Sequence, residues 1–370
     1  MKNAILVAAT KKNGTIYGIK NMGDYIQSLA GEMFFDVIDE YIDREKLADY
    51  KSESGRVKMI MNAWYMWNPE KWPPSDDILP LLISMHFSPV NSSRLLSFDG
   101  INYLKKYGPV GCRDRATEKL LNQYGIPCYF SGCLTLTLGN KYKTKNKKNT
   151  IIFVDPLYDS IYNIKGNLSI KNIFKCLYFG IIYFNKVKRL MKTFQHSNFS
   201  ANRIKLLKII LSFLNISAFY KTYSSYFDDQ LLFNAEYITH KIRIKKNTAL
   251  ALESEKMNYA KKLLQKYAEA SLVITSRLHC ALPCLGVETP VLFVTGEQLE
   301  DKATSVRKNR FDGLIELLHT IQYKNFSLTT ENNTIRKNVS FDTVITNKED
   351  HISIRDDLIK RCCEFTSNNS

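Results

Sequence analysis

Short apolar runs alternate with stretches of helical periodicity along most of the chain. The run "AILVAAT" precedes a helix-like pattern over residues 25–35, and "GPVGCRD" precedes another over residues 116–124. Three further runs have the β-branched content of buried strands, namely "IIFV", "LVIT" and "VLFVT", which begin at Ile151, Leu272 and Val291. This alternation predicts an α/β fold with parallel, doubly wound sheets.

A polar, basic stretch divides the pattern into two parts. Residues 139–150, "GNKYKTKNKKNT", lack large aliphatic side chains and are typical of a linker. We therefore predict an N-terminal α/β domain over residues 1–140, a linker over 141–150, a C-terminal α/β domain over 151–345, and a terminal helix or tail over 346–370.

The net charge of +16 is concentrated in one segment of the second part. Residues 163–222 contain eleven Lys or Arg and no Asp or Glu, and we predict that they form a helical insert. Their apolar runs are too short to span a bilayer. Two interpretations stay open: a helical hairpin packed on its own domain, or a basic amphipathic surface that contacts the inner membrane. No RNA-binding motif accompanies the segment, so we expect no nucleic acid partner.

Cysteine usage and the N-terminus bear on the cellular compartment. None of the eight cysteines forms a CxxC pair and no histidine stands at zinc-finger spacing, so we expect no structural metal and a reducing compartment. The first apolar stretch, residues 4–9, is too short for a signal peptide. We therefore predict a cytoplasmic protein, with peripheral membrane contact as an open alternative.

Two cationic side chains follow the strand "LVIT". Arg277 and His279 should lie at the carboxyl edge of a parallel sheet, where open α/β sheets bind their ligands. Thr275 or Ser276 suits the N-cap of the next helix, whose N-terminus favours an anion. Pro283 removes a backbone donor and predicts an irregular first turn. The alternative is that the arginine pairs with a nearby acid and the histidine is a satisfied core residue.

Two positions in the first part repeat this arrangement. Arg113 ends the short strand in "VGCRD" and precedes Asp114, a predicted N-cap, so it is a candidate second anion-binding group. A structural ion pair is an equal alternative. His86 ends the apolar run in "LISMHFSP" and could be a core histidine or face an acceptor.

Two polar stretches complete the candidate site. In "NMGDYIQSLAG", Asn21, Gly23 and Asp24 should lie just before a helix, where the glycine permits close approach to a ligand. Asp24 is either a helix cap or a group that holds or deprotonates the acceptor. Lys302 and Arg310, in "GEQLEDKATSVRKNR", could close over a phosphate, although a solvated loop is the simpler interpretation.

Several stretches resemble the polysaccharide pyruvyltransferase family. The strongest is "VITSRLHCALPCLGVETPVLFV"; the others are "NMGDYIQSLA", "GPVGCRDRATEKLLNQYGIPCYFSGCLTLTL" and "MNAWYMWNPEKWPPSDDILPLLISMHFSP". The resemblance implies two Rossmann-like domains that face a cleft, as in GT-B glycosyltransferases. It also implies transfer of pyruvate from phosphoenolpyruvate to two hydroxyls of a sugar, in a cell-surface polysaccharide or a lipid-linked oligosaccharide, with no other cofactor and no metal.

In this family the arginine and histidine of the strongest motif line the phosphoenolpyruvate site, which assigns anion binding to Arg277 and proton transfer to His279. Alternatives are a glycosyltransferase that uses a nucleotide sugar and a non-catalytic glycan- or membrane-binding protein on the same fold. The expected catalytic residues are His279 and Asp24, and the expected substrate-binding residues are Arg277, Arg113, Ser276, Asn21, Gly23, His86 and Lys302.

Overall fold

A computed structural model describes residues 1–11, 13–88, 91–162, 167–196, 205–296, 310–330 and 337–367 of the chain. Within these ranges parallel sheets are interleaved with helices, so the predicted mixed α/β fold is confirmed.

The strands within these ranges are β1 (Lys2–Val7), β2 (Gly18–Asn21), β3 (Glu40–Asp43), β4 (Val57–Ile60), β5 (Trp64–Tyr65), β6 (Ile78–Leu81), β7 (His86–Phe87), β8 (Val110–Cys112), β9 (Cys128–Phe130), β10 (Ile151–Val154), β11 (Glu236–Ile238), β12 (Lys241–Ile244), β13 (Leu272–Thr275), β14 (Val291–Gly296), β15 (His319–Lys324) and β16 (Ser327–Thr329). The α-helices are α1 (Met22–Glu32), α2 (Ser92–Leu95), α3 (Phe98–Tyr107), α4 (Arg115–Gln123), α5 (Gly139–Tyr142), α6 (Ile170–Ile182), α7 (Phe184–His196), α8 (Lys205–Tyr223), α9 (Asp229–Asn234), α10 (Glu253–Glu269), α11 (Leu278–Gly286) and α12 (Ile352–Ser367).

The first sheet is formed by strands near the N-terminus. Among the described residues it has four parallel strands in the order β3-β1-β4-β6. Ala4 and Leu6 pack into one apolar cluster, and Ile5 and Val7 pack into another on the opposite face. Because β1 is buried on both faces, its sequence is a continuous apolar run rather than an alternating one.

The second sheet is formed by strands of the C-terminal half. Its order is β11-β10-β13-β14-β15-β16, and the pairs are parallel except for β15 with β16. All residues of β10 and β13 are buried, which explains why "IIFV" and "LVIT" are recognisable as strands. The parallel arrangement places the carboxyl ends of β10 and β13 side by side.

Helix α1 connects the two sheets. The strand before it, β2, pairs antiparallel with β12, and the backbone N–H of Met22 donates to the carbonyl of His240 at 2.8 Å. Farther along the helix, the hydroxyl of Tyr25 donates to Oε2 of Glu253 on α10 at 2.8 Å. The first turn of α1 is therefore held against loops of the second sheet.

The described part of the basic segment is mainly helical, as predicted, and contributes α6, α7 and α8. Its inward side packs on the second sheet, where Val187, Leu190 and Phe219 join the same apolar cluster as Phe153. In the described part of the chain, no helix has the length and apolar character needed to cross a membrane.

Candidate anion-binding active site

The junction between β13 and α11 carries the two cationic groups singled out in the sequence. Arg277 itself occupies the N-cap position, without a side-chain cap, so the predicted cap at Thr275 or Ser276 is wrong. The hydroxyl of Thr275 is engaged elsewhere: it accepts from the Arg277 N–H at 2.9 Å and donates to the carbonyl of Val154 at 2.9 Å. Ser276 Oγ accepts from the N–H of Leu157 at 2.8 Å. Both hydroxyls therefore fix the junction to the loop after β10.

The first turn of α11 is irregular, as Pro283 predicts. His279 has φ −82° and ψ 22°, which interrupts the helical geometry, and the helix resumes to end at Gly286. This local kink belongs to the residue whose side chain faces the candidate site.

Arg277 is oriented by an acid on the neighbouring strand end. Its Nε donates to Oδ2 of Asp155 at 2.9 Å, and the backbone N–H of His240 donates to the same oxygen at 3.1 Å. Asp155 has φ 40°, in the left-handed region that non-glycine residues seldom occupy. The side chain of Arg277 stays 36% exposed. The guanidinium is thus held through one nitrogen while it remains accessible.

The two-stranded sheet of β8 and β9 contributes a buried arginine at the end of β8. Asp114 caps α4 as predicted, since its Oδ1 accepts from the Thr117 N–H at 3.0 Å. Arg113 is buried, and its Nε lies 3.7 Å from Oδ2 of Asp114. Nε and Nη1 of Arg113 have no hydrogen-bond partner among the described residues. A buried guanidinium in this state is costly, which is typical of a group that awaits an anion.

His86 lies beside Arg113 and is paired with the same acid. Its Nδ1 is 2.6 Å from Oδ2 of Asp114, so this nitrogen carries the proton that the carboxylate accepts. Burial, and then the charge of Arg113, lower the pKa of His86 to about 4. For Asp114 burial opposes ionisation, but the contacts with His86 and Arg113 outweigh it and lower the pKa of the carboxyl. The pair forms a fixed, neutral imidazole next to a carboxylate.

His279 is buried, and its Nε2 has no hydrogen-bond partner within the described ranges. Burial lowers the pKa of His279 well below its usual value, and the charges of Arg113 and Arg310 lower it further. The imidazole on α11 therefore lies within the electrostatic reach of the arginine that ends β8. Side chains that follow β8 and β13 converge at one place.

Arg310 is a third cation at this place. Its Nε is buried without a partner among the residues that the structure describes. Burial, and then the charge of Arg113, lower the pKa of Arg310 to about 10, and the charge of Arg277 acts in the same direction. Three guanidinium groups that repel one another in a partly dry site would suit a ligand with more than one negative charge.

The first turn of α1 lies directly against His279. Asn21 is the N-cap, and its Oδ1 accepts from the Gly23 N–H at 3.3 Å. The sequence pattern predicts that Gly23 and Asp24 lie just before the helix, but they lie inside its first turn. A Cβ on Gly23 would lie 3.0 Å from Cβ of His279 and 3.3 Å from Nδ1 of His240. The close approach expected of Gly23 is therefore to these imidazole side chains. Asp24 is not the cap, and its Oδ1 lies 3.5 Å from Nδ2 of Asn21.

An open pocket of about 670 Å³ adjoins this turn. It lies beyond the carboxyl ends of β1 and β3, and Asp24 and Asn21 form part of its wall. The half-exposed indole of Trp67 and the side chain of Arg44 line it as well. The pocket combines an aromatic face with carboxylate and amide groups, a combination that suits a sugar.

Sequence reasoning missed two of these groups. Asp155 had a usable signal, because it follows the buried run "IIFV" directly, at the same sheet edge as Arg277. His240 had none beyond its residue type, whereas Arg310 was a candidate, with Lys302, to close over a phosphate. Lys302 lies outside the described residues. Within the described ranges, no group of three or more His, Cys, Asp or Glu side chains could hold a metal ion.

A family model described as polysaccharide pyruvyl transferase matches residues 81–297, more than half of the chain. No curated protein and no solved structure matches the sequence. The matched span contains His86, Arg113, Arg277 and His279, whereas the first turn of α1 and Arg310 lie outside it.

Proposed function

The chain belongs to the polysaccharide pyruvyl transferase family, and on this premise we propose that it transfers pyruvate from phosphoenolpyruvate to two hydroxyls of one sugar. The product is a pyruvate ketal on a cell-surface polysaccharide or on its lipid-linked precursor. The observation that carries the proposal is the set of buried nitrogens of Arg113, Arg310 and His279 that have no hydrogen-bond partner among the described residues. Phosphoenolpyruvate brings a phosphate and a carboxylate to one small carbon frame, so it needs several fixed cations.

The three arginines suit the donor in different ways. Arg113 and Arg310 are largely withdrawn from water, where a charge-assisted bond to phosphate or carboxylate is strongest. Arg277 is accessible and aligned by Asp155, which favours a role in guiding and orienting the donor. We assign all three to donor binding. In this scheme the two sheets form two Rossmann-like domains around a GT-B-like cleft, with the donor on the C-terminal side and the acceptor on the N-terminal side.

The reaction needs one proton delivered and two removed. Protonation of the methylene carbon of phosphoenolpyruvate gives an oxocarbenium-like C2, which a sugar hydroxyl attacks as it loses its proton. The C–O bond to phosphate then breaks, and the second hydroxyl attacks C2 to close the ketal. Of the two hydroxyl protons, one replaces the proton given to carbon and the other leaves with phosphate. The net products are the ketal and inorganic phosphate.

We assign proton transfer to His279. Burial, and then the charges of Arg113 and Arg310, lower the pKa of His279 and keep its imidazole neutral. Donor binding would bring negative charge to the same arginines and raise the pKa of His279 towards neutrality, where an imidazole is an effective acid or base. This order ties proton transfer to the presence of the donor. His86 lies in the same electrostatic field. If His86 becomes protonated, its contact with Asp114 would stabilise the charged imidazolium.

We place the acceptor in the pocket beside the first turn of α1. Asp24 could accept a proton from a sugar hydroxyl, and Asn21 could hold that hydroxyl in place. Trp67 offers a face for the apolar side of the ring. The family match does not favour the alternative of a glycosyltransferase that uses a nucleotide sugar.

The test is phosphate release from phosphoenolpyruvate in the presence of candidate glycan acceptors, with the ketal identified by mass spectrometry. His279→Ala and Arg277→Ala should each reduce turnover at least a hundredfold, in the range seen when acid–base or anion-binding groups are removed. Matched controls are His319→Ala and Arg355→Ala, which remove the same residue types outside the site. Acceptor-dependent release that survives both site substitutions would overturn the proposal.

A further inference from the structure

Helix α6 packs on α8 through its small residues. Cys176 and Gly180 are buried on this side, and a Cβ on Gly180 would lie 2.5 Å from Cε1 of Phe213. The glycine therefore lets the two helices approach closely. This contact buries one face of α6, and the opposite face is turned outward.

The opposite face of α6 is apolar and exposed. Ile170, Phe174 and Ile181 are 73%, 67% and 68% exposed. The full set, called the α6 outer face below, is Ile170, Phe174, Leu177, Tyr178, Ile181 and Ile182. A helix that is apolar on both sides is normally covered on both, and a contiguous exposed patch of this kind marks an interaction site.

The charge around this face restricts its partner. Lys171, Lys188 and Lys192 are exposed on α6 and α7, and residues 163–222 contain no acid at all. Lys186 is paired with Asp229, which lies outside that range. Two copies of the chain joined through this face would bring the same basic segments together, which like-charge repulsion opposes. The complementary surface is apolar and negatively charged.

We propose that the α6 outer face inserts into the headgroup layer of a membrane that contains anionic phospholipid, with α6 parallel to the bilayer plane. The helix of 13 residues is about 20 Å long, shorter than the hydrocarbon core, so it lies in the interface and does not cross it. The exposed lysines contact lipid phosphates while Phe174 and Ile181 enter the acyl boundary. This inference does not depend on the proposed function, although it would bring the enzyme to a lipid-linked acceptor.

The test is flotation of the whole protein with vesicles of phosphatidylcholine alone or mixed with phosphatidylglycerol. The wild-type protein should float with the mixed vesicles and stay behind with the neutral ones. The double variant Phe174→Ser, Ile181→Ser should bind the mixed vesicles at least tenfold more weakly. The matched control is Phe98→Ser with Val344→Ser, because both side chains are strongly exposed outside the segment. It should float like the wild type.

A charge variant provides a second measurement that does not touch apolar surface. Lys171→Gln, Lys188→Gln and Lys192→Gln together should weaken binding by about fivefold per lysine. The control Lys245→Gln, Lys246→Gln and Lys262→Gln removes three exposed lysines elsewhere and should bind normally. Failure of the wild type to float, or equal losses in test and control variants, would overturn the proposal. The proposal would also be overturned if light scattering showed a wild-type dimer that the double variant Phe174→Ser, Ile181→Ser dissociates while its flotation is unchanged.

Discussion

Arg277 and Asp155 join the ends of two adjacent parallel strands through a hydrogen bond of 2.9 Å from Nε to Oδ2. The acid stands in a left-handed backbone conformation to make this contact. Strained backbone of this kind is typical of sites where position matters more than stability. We therefore assign a positioning role to the acid, and in the proposed function the arginine contacts the donor.

Asp155→Asn tests that positioning. Asparagine tolerates the left-handed conformation, so the backbone should be preserved while the charge that holds Arg277 is lost. We expect KM for phosphoenolpyruvate to rise about tenfold, in line with the loss of one charge-assisted hydrogen bond, while kcat changes less. Steady-state kinetics separate the two constants. The control is Asp356→Asn, which breaks a similar Arg–Asp contact of 2.8 Å on α12. A loss confined to kcat would contradict the positioning role.

Gly23→Ala tests the contact between α1 and His279. The added methyl group would lie 3.0 Å from Cβ of His279, so the helix or the imidazole must shift by a few tenths of an ångström. Such a displacement of an acid–base group should lower kcat by about tenfold to a hundredfold. Thermal stability should change little, because the helix preference for alanine over glycine, about 1 kcal/mol, offsets the cost of the close contact with His279.

Gly31→Ala is the matched control for that substitution. It lies in the same helix, and its added Cβ would meet Oδ1 of Asn62 at 3.3 Å, away from the imidazoles. Kinetics and thermal melts of both variants should show lost activity only for Gly23→Ala. Equal activity in the two variants would mean that the position of His279 is not critical.

The strands could be predicted from the sequence because a strand that is buried on both faces has a continuous apolar run. The "LVIT" and "VLFVT" runs are found as β13 and β14, and the sheet edge predicted for Arg277 and His279 follows from them. The cap of α11 could not be predicted in the same way. The hydroxyl of Thr275 is taken up by Val154 on the neighbouring strand, a competitor that only the fold brings near.

The local sequence pattern could not predict that these side chains come together in one site. Arg113 and His279 are distant in the chain, and their electrostatic contact depends on how the fold brings the end of β8 near α11. The pairing of β2 with β12 determines the position of His240. Both strands are short and polar, so this pairing could not be predicted from the sequence. Arg310 lies next to a polar, basic stretch that resembles any solvated loop. The predicted domain boundaries stay predictions.

Arg113→Met should separate binding from stability. The guanidinium is buried with two nitrogens that have no partner within the described part of the chain, so an apolar side chain of similar length should leave the melting temperature of the ligand-free protein unchanged or raise it by a few degrees. The rise in melting temperature that saturating phosphoenolpyruvate gives the wild type should be absent from the variant. Arg115→Met is the control, since Arg115 is exposed and pairs with Glu118 at 2.9 Å. A normal ligand-induced shift in Arg113→Met would remove this residue from the donor site.

His86 should make the stability of the protein depend on pH. Its pKa is about 4 in the folded protein and about 6.5 in an unfolded chain, so the unfolded state binds the proton first as the pH falls. The contribution is therefore present above about pH 6.5 and is lost progressively towards pH 4, by about 3 kcal/mol at the limit. Asp114, whose pKa is also lowered, adds loss in the same direction.

His86→Asn isolates the histidine, because the amide nitrogen of asparagine can replace Nδ1 as the donor to Asp114 without titrating. Urea unfolding at several pH values should show that the variant loses less stability than the wild type between pH 7 and pH 5. His319→Asn, at a histidine outside the site, should keep the wild-type dependence. Parallel pH profiles for wild type and His86→Asn would show that His86 is not held neutral by burial and the charge of Arg113, and the electrostatic account of the site would then be wrong.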